Sequence, residues 1–222
     1  MGRTQTLEPA GRTEPTPPRR RRSGTGRVFR VIGLILIAAA LAVGGYLWWL
    51  LWGTGFFTSA AQEQIRAPFE RLIGTTPPED APPADRVVKV PGTAVAILRI
   101  PDIEVNYVVV EGTGTESLKK GPGHYTWTSY PWEDTGTVGI AGHRTTYGAP
   151  FWDLDQVRPG DEIRLVTEEG AFRYEVTQTR DVLPSEGWVL RDDGDPSLVL
   201  TTCTPRFSAA LRLIVFAERI EL

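Results

Sequence analysis

Three patterns of apolar and polar residues follow one another along the chain. From Val31 to Trp52 there are 22 residues without a charge, apolar on every side. As a helix they span about 33 Å at 1.5 Å per residue, enough to cross a hydrocarbon core of about 30 Å. The next stretch, "TSAAQEQIRAPFERLIG" (58–74), has weak helical spacing, with Ile65, Phe69, Leu72 and Ile73 on one side. It predicts a short stalk helix, interrupted near Pro68. From about Val87 the pattern changes to short β-branched and aromatic runs bounded by Gly, Pro and Asp. Strands are predicted over 94–100, 103–110, 137–143, 162–168, 172–183, 197–203 and 211–220. "APFWDLDQVRPGD" (149–161) supplies one short helix, with Pro150 at its start and Gly160 beyond its end. So many short strands with so little helix give an all-β class, a barrel or a sandwich.

The charge is unevenly spread. Residues 1–52 hold eight arginines against two glutamates, a charge of +6, and the rest holds 16 basic against 25 acidic residues, −9. An acidic C-terminal portion excludes nucleic acid as its partner, because phosphate binding needs the opposite sign. The basic end belongs with the apolar segment. "RRRR" (19–22), Arg27 and Arg30 precede it, and Tyr46, Trp48, Trp49 and Trp52 cluster at its far end as an aromatic belt. This arrangement holds the N-terminus in the cytoplasm and the remainder outside the cell, in a single-pass membrane protein. A cleaved signal peptide would have a shorter apolar run and a shorter preceding tail. The expected organisation is a disordered basic tail (1–27), a transmembrane anchor (28–52), a stalk and Pro-rich linker (53–86, including "TTPPEDAPPAD") and a folded domain (87–222).

Outside the cell, a lone cysteine has no disulfide partner within the chain. Cys203 in "LTTCTP" is therefore either an inert core residue or a reactive one. A thiol nucleophile needs a base and a donor for the oxyanion. His143 in "AGHRTTYGAPF" and Arg212, nine residues after the cysteine, supply one of each, all at strand ends. By position alone these residues leave both readings open. If the connection is residues 204–211, the last two strands are antiparallel and place Cys203 directly opposite Arg212 on one face. One cysteine and two histidines lack zinc spacing, and "RDDGDP" (191–196) resembles a calcium loop only in its acids. No metal, nucleotide or other cofactor is expected.

"GIAGHRTTYGAPF", "LTTCTP" and the arginine nine residues on together resemble a sortase, over about residues 90–222. "GPGHY" and the run "HRTTYGAPFWDLDQVRPGD" are most similar to the class E sortases of actinobacteria. The resemblance implies a closed eight-stranded β-barrel and a membrane-anchored cysteine transpeptidase. It makes Cys203 the nucleophile, His143 the general acid/base and Arg212 the oxyanion-holding group. Thr202 matches the residue before the cysteine in the family's TLxTC element. His124, in a Gly/Pro loop, competes with His143 but reads as a loop or substrate-groove residue, and Tyr125 and Tyr147 as groove lining. The substrate would be a surface protein with an LAXTG- or LPXTG-like C-terminal sorting signal, and the acceptor a cell-wall amine. Two rivals are an L,D-transpeptidase-type enzyme, whose cysteine context "LTTCTP" does not fit, and a noncatalytic wall-binding domain with an inert Cys203.

Overall fold

The computed structural model describes residues 24–74 and 92–220. The tail over 1–23 and the whole of the Pro-rich linker (75–85) lie outside the described residues. Helix α1 runs from Gly24 to Trp48, four residues ahead of the expected start of the anchor. Leu34, Ile35, Leu36, Ile37 and Leu41 on it are exposed to well over half their surface, the all-round apolar exposure of a candidate membrane span. The helix of which it is part, Gly26–Ile73, is long and apolar enough to cross a membrane, with a mean hydropathy of 2.3 over its most apolar window.

A π-turn, Trp49–Gly53, leads into α2 (Thr54–Ile73). Gly53 is required there, because a Cβ would stand 2.4 Å from the Trp49 ring. Two sequence expectations fail at α2. Pro68 lies inside the helix and does not break it. Nor is α2 a free-standing stalk: Phe69 is buried in a cluster with Ile97 and Val108, against which Ile65 and Ile73 also pack. Burial of this kind offsets the roughly 3 kcal/mol that an internal proline costs a helix. The rest of the contact is polar. Gln62 donates from Nε2 to the carbonyls of Val108 (2.9 Å) and Lys120 (2.8 Å) and accepts the Val108 N–H (2.7 Å), while Thr58 donates to the Lys119 carbonyl.

The eight strands are β1 (Ala94–Ile100), β2 (Val105–Glu111), β3 (Gly123–His124), β4 (Thr137–Ala141), β5 (Glu162–Val166), β6 (Ala171–Val182), β7 (Ser197–Thr204) and β8 (Leu211–Ile220). They close into a barrel in the order β1-β2-β3-β4-β7-β8-β6-β5, sealed by β5 pairing with β1. Closure excludes the sandwich. The pairs β2–β3 and β4–β7 are parallel, and the others antiparallel. Ile140, Leu198, Leu200, Leu165, Tyr174 and Val215 alternate into the interior with Phe151 and Leu154. Each fully buried aliphatic side chain contributes about 2 kcal/mol through area removed from water. A second, smaller cluster (Val182, Val189, Leu190, Val199, Ile214) lies on the outer face of the same wall. The helix expected over 149–161 is only a 3-10 turn, Leu154–Gln156.

Candidate active site

The site is built by two strand registers. Along the parallel pair, Thr137 stands beside Ser197 and Ala141 beside Thr201. The pairing continues beyond the end of β4: Gly142 N–H donates to Thr201 O (3.0 Å), and the Thr202 hydroxyl donates to Gly142 O (2.8 Å). His143 follows Gly142 in the chain as Cys203 follows Thr202. Along the antiparallel pair, Cys203 stands directly opposite Arg212. Cys203 and Arg212 are thus cross-strand partners near the joined ends of β7 and β8, and His143 follows two residues after the end of β4, the strand that pairs with β7.

Alternation fixes the face. Leu198 and Leu200 point into the barrel, whereas Val199 and Ile214 belong to the outer cluster. Counting by two, Cys203 and Arg212 share the outer face with Thr201 and Ile214. Cys203 is half-buried and unpaired with any other thiol. The half-buried His143 ring packs at 5.0 Å from the Tyr147 ring, and burial pushes its pKa below the ordinary histidine value by penalising the cation. Arg212 donates from Nη1 to the carbonyls of Ala209 (3.0 Å) and Leu211 (3.1 Å), which fixes one arm of its planar fork.

The remaining residues singled out in the sequence divide. Tyr125 lies on the outer face: it packs against the outer cluster, its hydroxyl meets Thr201 Oγ1 at 3.0 Å, and its ring stands 5.6 Å from the exposed Trp127. Tyr147 adopts a left-handed backbone (φ 52°), and its N–H donates to the Thr54 hydroxyl of α2 (3.0 Å). Thr202 does not line a groove. Its side chain is on the interior face and its hydroxyl holds the end of β4, so the residue on the cysteine's own face is Thr201.

His124 is neither a loop residue nor part of a groove. It forms β3, beside Ile140 of β4, which in turn stands beside Leu200, and this row faces the barrel interior. Its ring is fully buried, 3.1 Å from Glu111 Oε2 through Nδ1 and 3.0 Å from the Ser129 carbonyl through Nε2, and stacks on Tyr130 at 4.7 Å. The "GPGH" segment reads as a loop, yet its glycine is what admits a strand. A Cβ at Gly123 would meet the Gly112 carbonyl at 2.2 Å.

Sequence reasoning passed over Arg144. This arginine is only 3% exposed, donates from Nε to Trp152 O (2.8 Å), reaches Cys203 O from Nη1 (3.5 Å) and pairs through Nη2 with Asp155 (2.9 Å). Arg206 joins it on the Trp152 carbonyl and on Asp153 and Asp155. Together they tie the segment after His143 to the strand end carrying Cys203. The available signal was two acids in "FWDLDQ" beside an arginine that follows the histidine.

Comparison with known proteins gives a consistent picture. The family model described as Sortase domain matches residues 98–220. Sortase D of Bacillus subtilis is 32% identical over 86% of this chain and 98% of its own, and Sortase SrtE1 of Streptomyces coelicolor is 34% identical over 59% of this chain and 42% of its own. Among solved structures, a Clostridium perfringens Sortase D5 transpeptidase superposes with a TM-score of 0.65 at 27% identity, over 73% of this chain and 99% of that one. Sortase E1 from Streptomyces coelicolor, solved with a tripeptide in the active site, gives 0.56 at 31% identity, over 60% and 92%.

Proposed function

Because this chain belongs to the sortase family and is a cysteine transpeptidase, we propose that Cys203 is its nucleophile, His143 its general acid/base and Arg212 its oxyanion donor. The observation that carries this reading is the register that sets Cys203 directly opposite Arg212 and runs β4, which ends two residues before His143, alongside β7. The Cys203 thiolate adds to the threonine carbonyl carbon of a Thr–Gly bond in an LAXTG- or LPXTG-like signal. The electron pair of the carbonyl moves onto its oxygen, which the Nε and Nη2 N–H groups of Arg212 receive. Arginine serves as a fixed cationic donor, since its guanidinium stays protonated in proteins. Collapse of the adduct breaks the C–N bond, and His143 gives its proton to the departing glycine amine. The product is a thioester on Cys203. An acceptor amine then attacks that carbonyl, returns a proton to His143 and releases the thiolate as the new amide forms.

The arginine bias before the apolar helix supports a cytoplasmic N-terminus and an extracellular catalytic domain. The partners are then surface proteins bearing a C-terminal signal and a cell-wall amine. The test incubates the full-length chain in detergent with LAXTG and LPXTG peptides and a glycine- or diaminopimelate-type amine. Intact mass spectrometry should find the peptide's N-terminal portion on Cys203 and, with amine, the transpeptidated product. Turnover by Cys203→Ala, or no acylation of the wild type by either peptide, would refute the reading.

A further inference from the structure

Outside the residues assigned to catalysis, the domain carries an exposed apolar surface. A groove of about 420 Å³ is lined by Leu51, Trp52, Gly148, Ala149, Trp152 and Phe207. Its walls come from three places: the end of the apolar segment, the segment after His143, and the β7–β8 connection that begins two residues after Cys203. Trp52 is 62% exposed, the neighbouring Phe56 71% and Phe207 67%. Phe207 holds a left-handed backbone at φ 65°, unusual for a bulky side chain, and meets Trp152 edge-to-face at 5.8 Å. Arg206 lies over the other side of the pair, 4.9 Å from the Trp152 ring. A neighbouring cleft of about 490 Å³ combines Tyr46, Trp49 and Phe57 with Lys119, Lys120 and Tyr147.

Aromatic rings, exposed aliphatics and basic side chains in one band are the composition of a membrane interface. The depth of the band is set by Leu51 and Trp52. They end the 22-residue apolar run, so in an anchored chain they lie at the boundary between acyl chains and headgroups. Trp152 and Phe207 share a groove with them and must lie within a side chain's length of the same depth.

We propose that the groove and its aromatic rim seat on the lipid bilayer itself. An acyl chain occupies the groove, and the β7–β8 connection sits in the headgroup layer, about 5–10 Å deep as for other interfacial elements. The inference rests on the reading of residues 31–52 as the membrane anchor. It follows that the nucleophile works at the membrane surface, where acyl donors and acceptors that are themselves lipid-anchored are presented.

The experiment separates the two levels. Full-length chain in the Cys203→Ala background, so that one thiol at a time is present, is placed in phosphatidylcholine–phosphatidylglycerol nanodiscs. A fluorophore is attached at Phe207→Cys, at Leu36→Cys in the anchor, or at Glu169→Cys on the exposed β5–β6 turn. Lipids carrying a nitroxide at the headgroup or deep in the acyl chain serve as quenchers. Leu36 should be quenched best by the deep nitroxide, Phe207 best by the shallow one and several-fold more than Glu169. Leu36 quenched with Phe207 no more affected than Glu169 would overturn the proposal and leave the anchor standing. Leu36 unquenched would overturn both. Shielding of the Phe207 fluorophore by added sorting peptide, with no quenching by lipid, would assign the groove to peptide and overturn the lipid reading.

Discussion

The barrel wall separates two histidines that look alike in the sequence and differ in every physical respect. His124 faces the interior, fully buried, with both ring nitrogens hydrogen-bonded and one face stacked on Tyr130. His143 stands two residues past the end of β4, half-buried, with an aromatic neighbour but no side-chain hydrogen bond to its ring among the described residues. A histidine whose nitrogens are both committed cannot take or give a proton without breaking the network that holds it. One whose ring nitrogens are not so engaged is free of that constraint. Saturation of hydrogen bonds, not mere proximity to a glycine-rich loop, separates the structural imidazole from the one proposed to move protons.

The contrast can be broken most forcefully at the working end. His143→Ala should lower the rate of Cys203 acylation by about 10²–10⁴, the range for a positioned acid/base, with circular dichroism and melting temperature near wild type. Arg212→Ala should lose about 3 kcal/mol of transition-state stabilisation, judging from single oxyanion donors, read as kcat/KM for peptide cleavage. Arg212→Lys should recover little of it, since an ammonium keeps the charge but loses the fork. At the structural end, His124→Ala should cost about 3 kcal/mol of stability in denaturant titration. It strips buried Glu111, one of whose oxygens has no hydrogen-bond partner among the described residues, of its imidazole partner and leaves a void beside Tyr130. Acylation per folded molecule should remain.

Smaller effects sharpen the comparison. Thr202→Val removes the hydroxyl that holds Gly142 O and should cost about 1–3 kcal/mol of stability together with a slower acylation step, while Thr202→Ser restores both. The smallest effect concerns titration. Burial lowers the His143 pKa, so in a Cys203→Ala background its NMR-detected midpoint should fall below 6.5. The folded state then binds this proton more weakly than the unfolded chain. The associated stability is full above about pH 6.5 and is lost as pH falls through the folded midpoint. A midpoint above 6.5 would show a neighbouring negative charge that outweighs desolvation.

Seven of the eight strands were legible because each alternates or runs apolar between turn residues, and Ala94–Ile100 and Leu211–Ile220 begin and end where the pattern does. β3 was not, since two residues, Gly123 and His124, just after a Gly-Pro pair carry no period to detect. The candidate site was legible as residues but not as geometry: Cys203 opposite Arg212 follows from connection length, whereas β4 alongside β7 needs a parallel pairing that no local signal announces. Alternation could have moved the groove assignment from Thr202 to Thr201, because residues two apart share a face. The docking of α2 was hidden for a different reason. Thr54, Thr58 and Gln62 recur every four residues and read as a solvated stripe, yet all three are buried, with hydroxyls and amide spent on backbone groups of the barrel and its loops. Polar side chains that satisfy a neighbour's backbone look the same in sequence as polar side chains in water.

The most direct test of the proposed Cys203, His143 and Arg212 site is a crystal structure of the chain with a sorting peptide trapped on Cys203 as the acyl adduct. The acyl oxygen should lie about 2.7–3.1 Å from the Arg212 guanidinium, with the His143 ring on the opposite side of the sulfur and His124 still closed on Glu111 and Ser129. An adduct whose oxygen is held elsewhere, with Arg212 directed only at the Ala209 and Leu211 carbonyls, would contradict it.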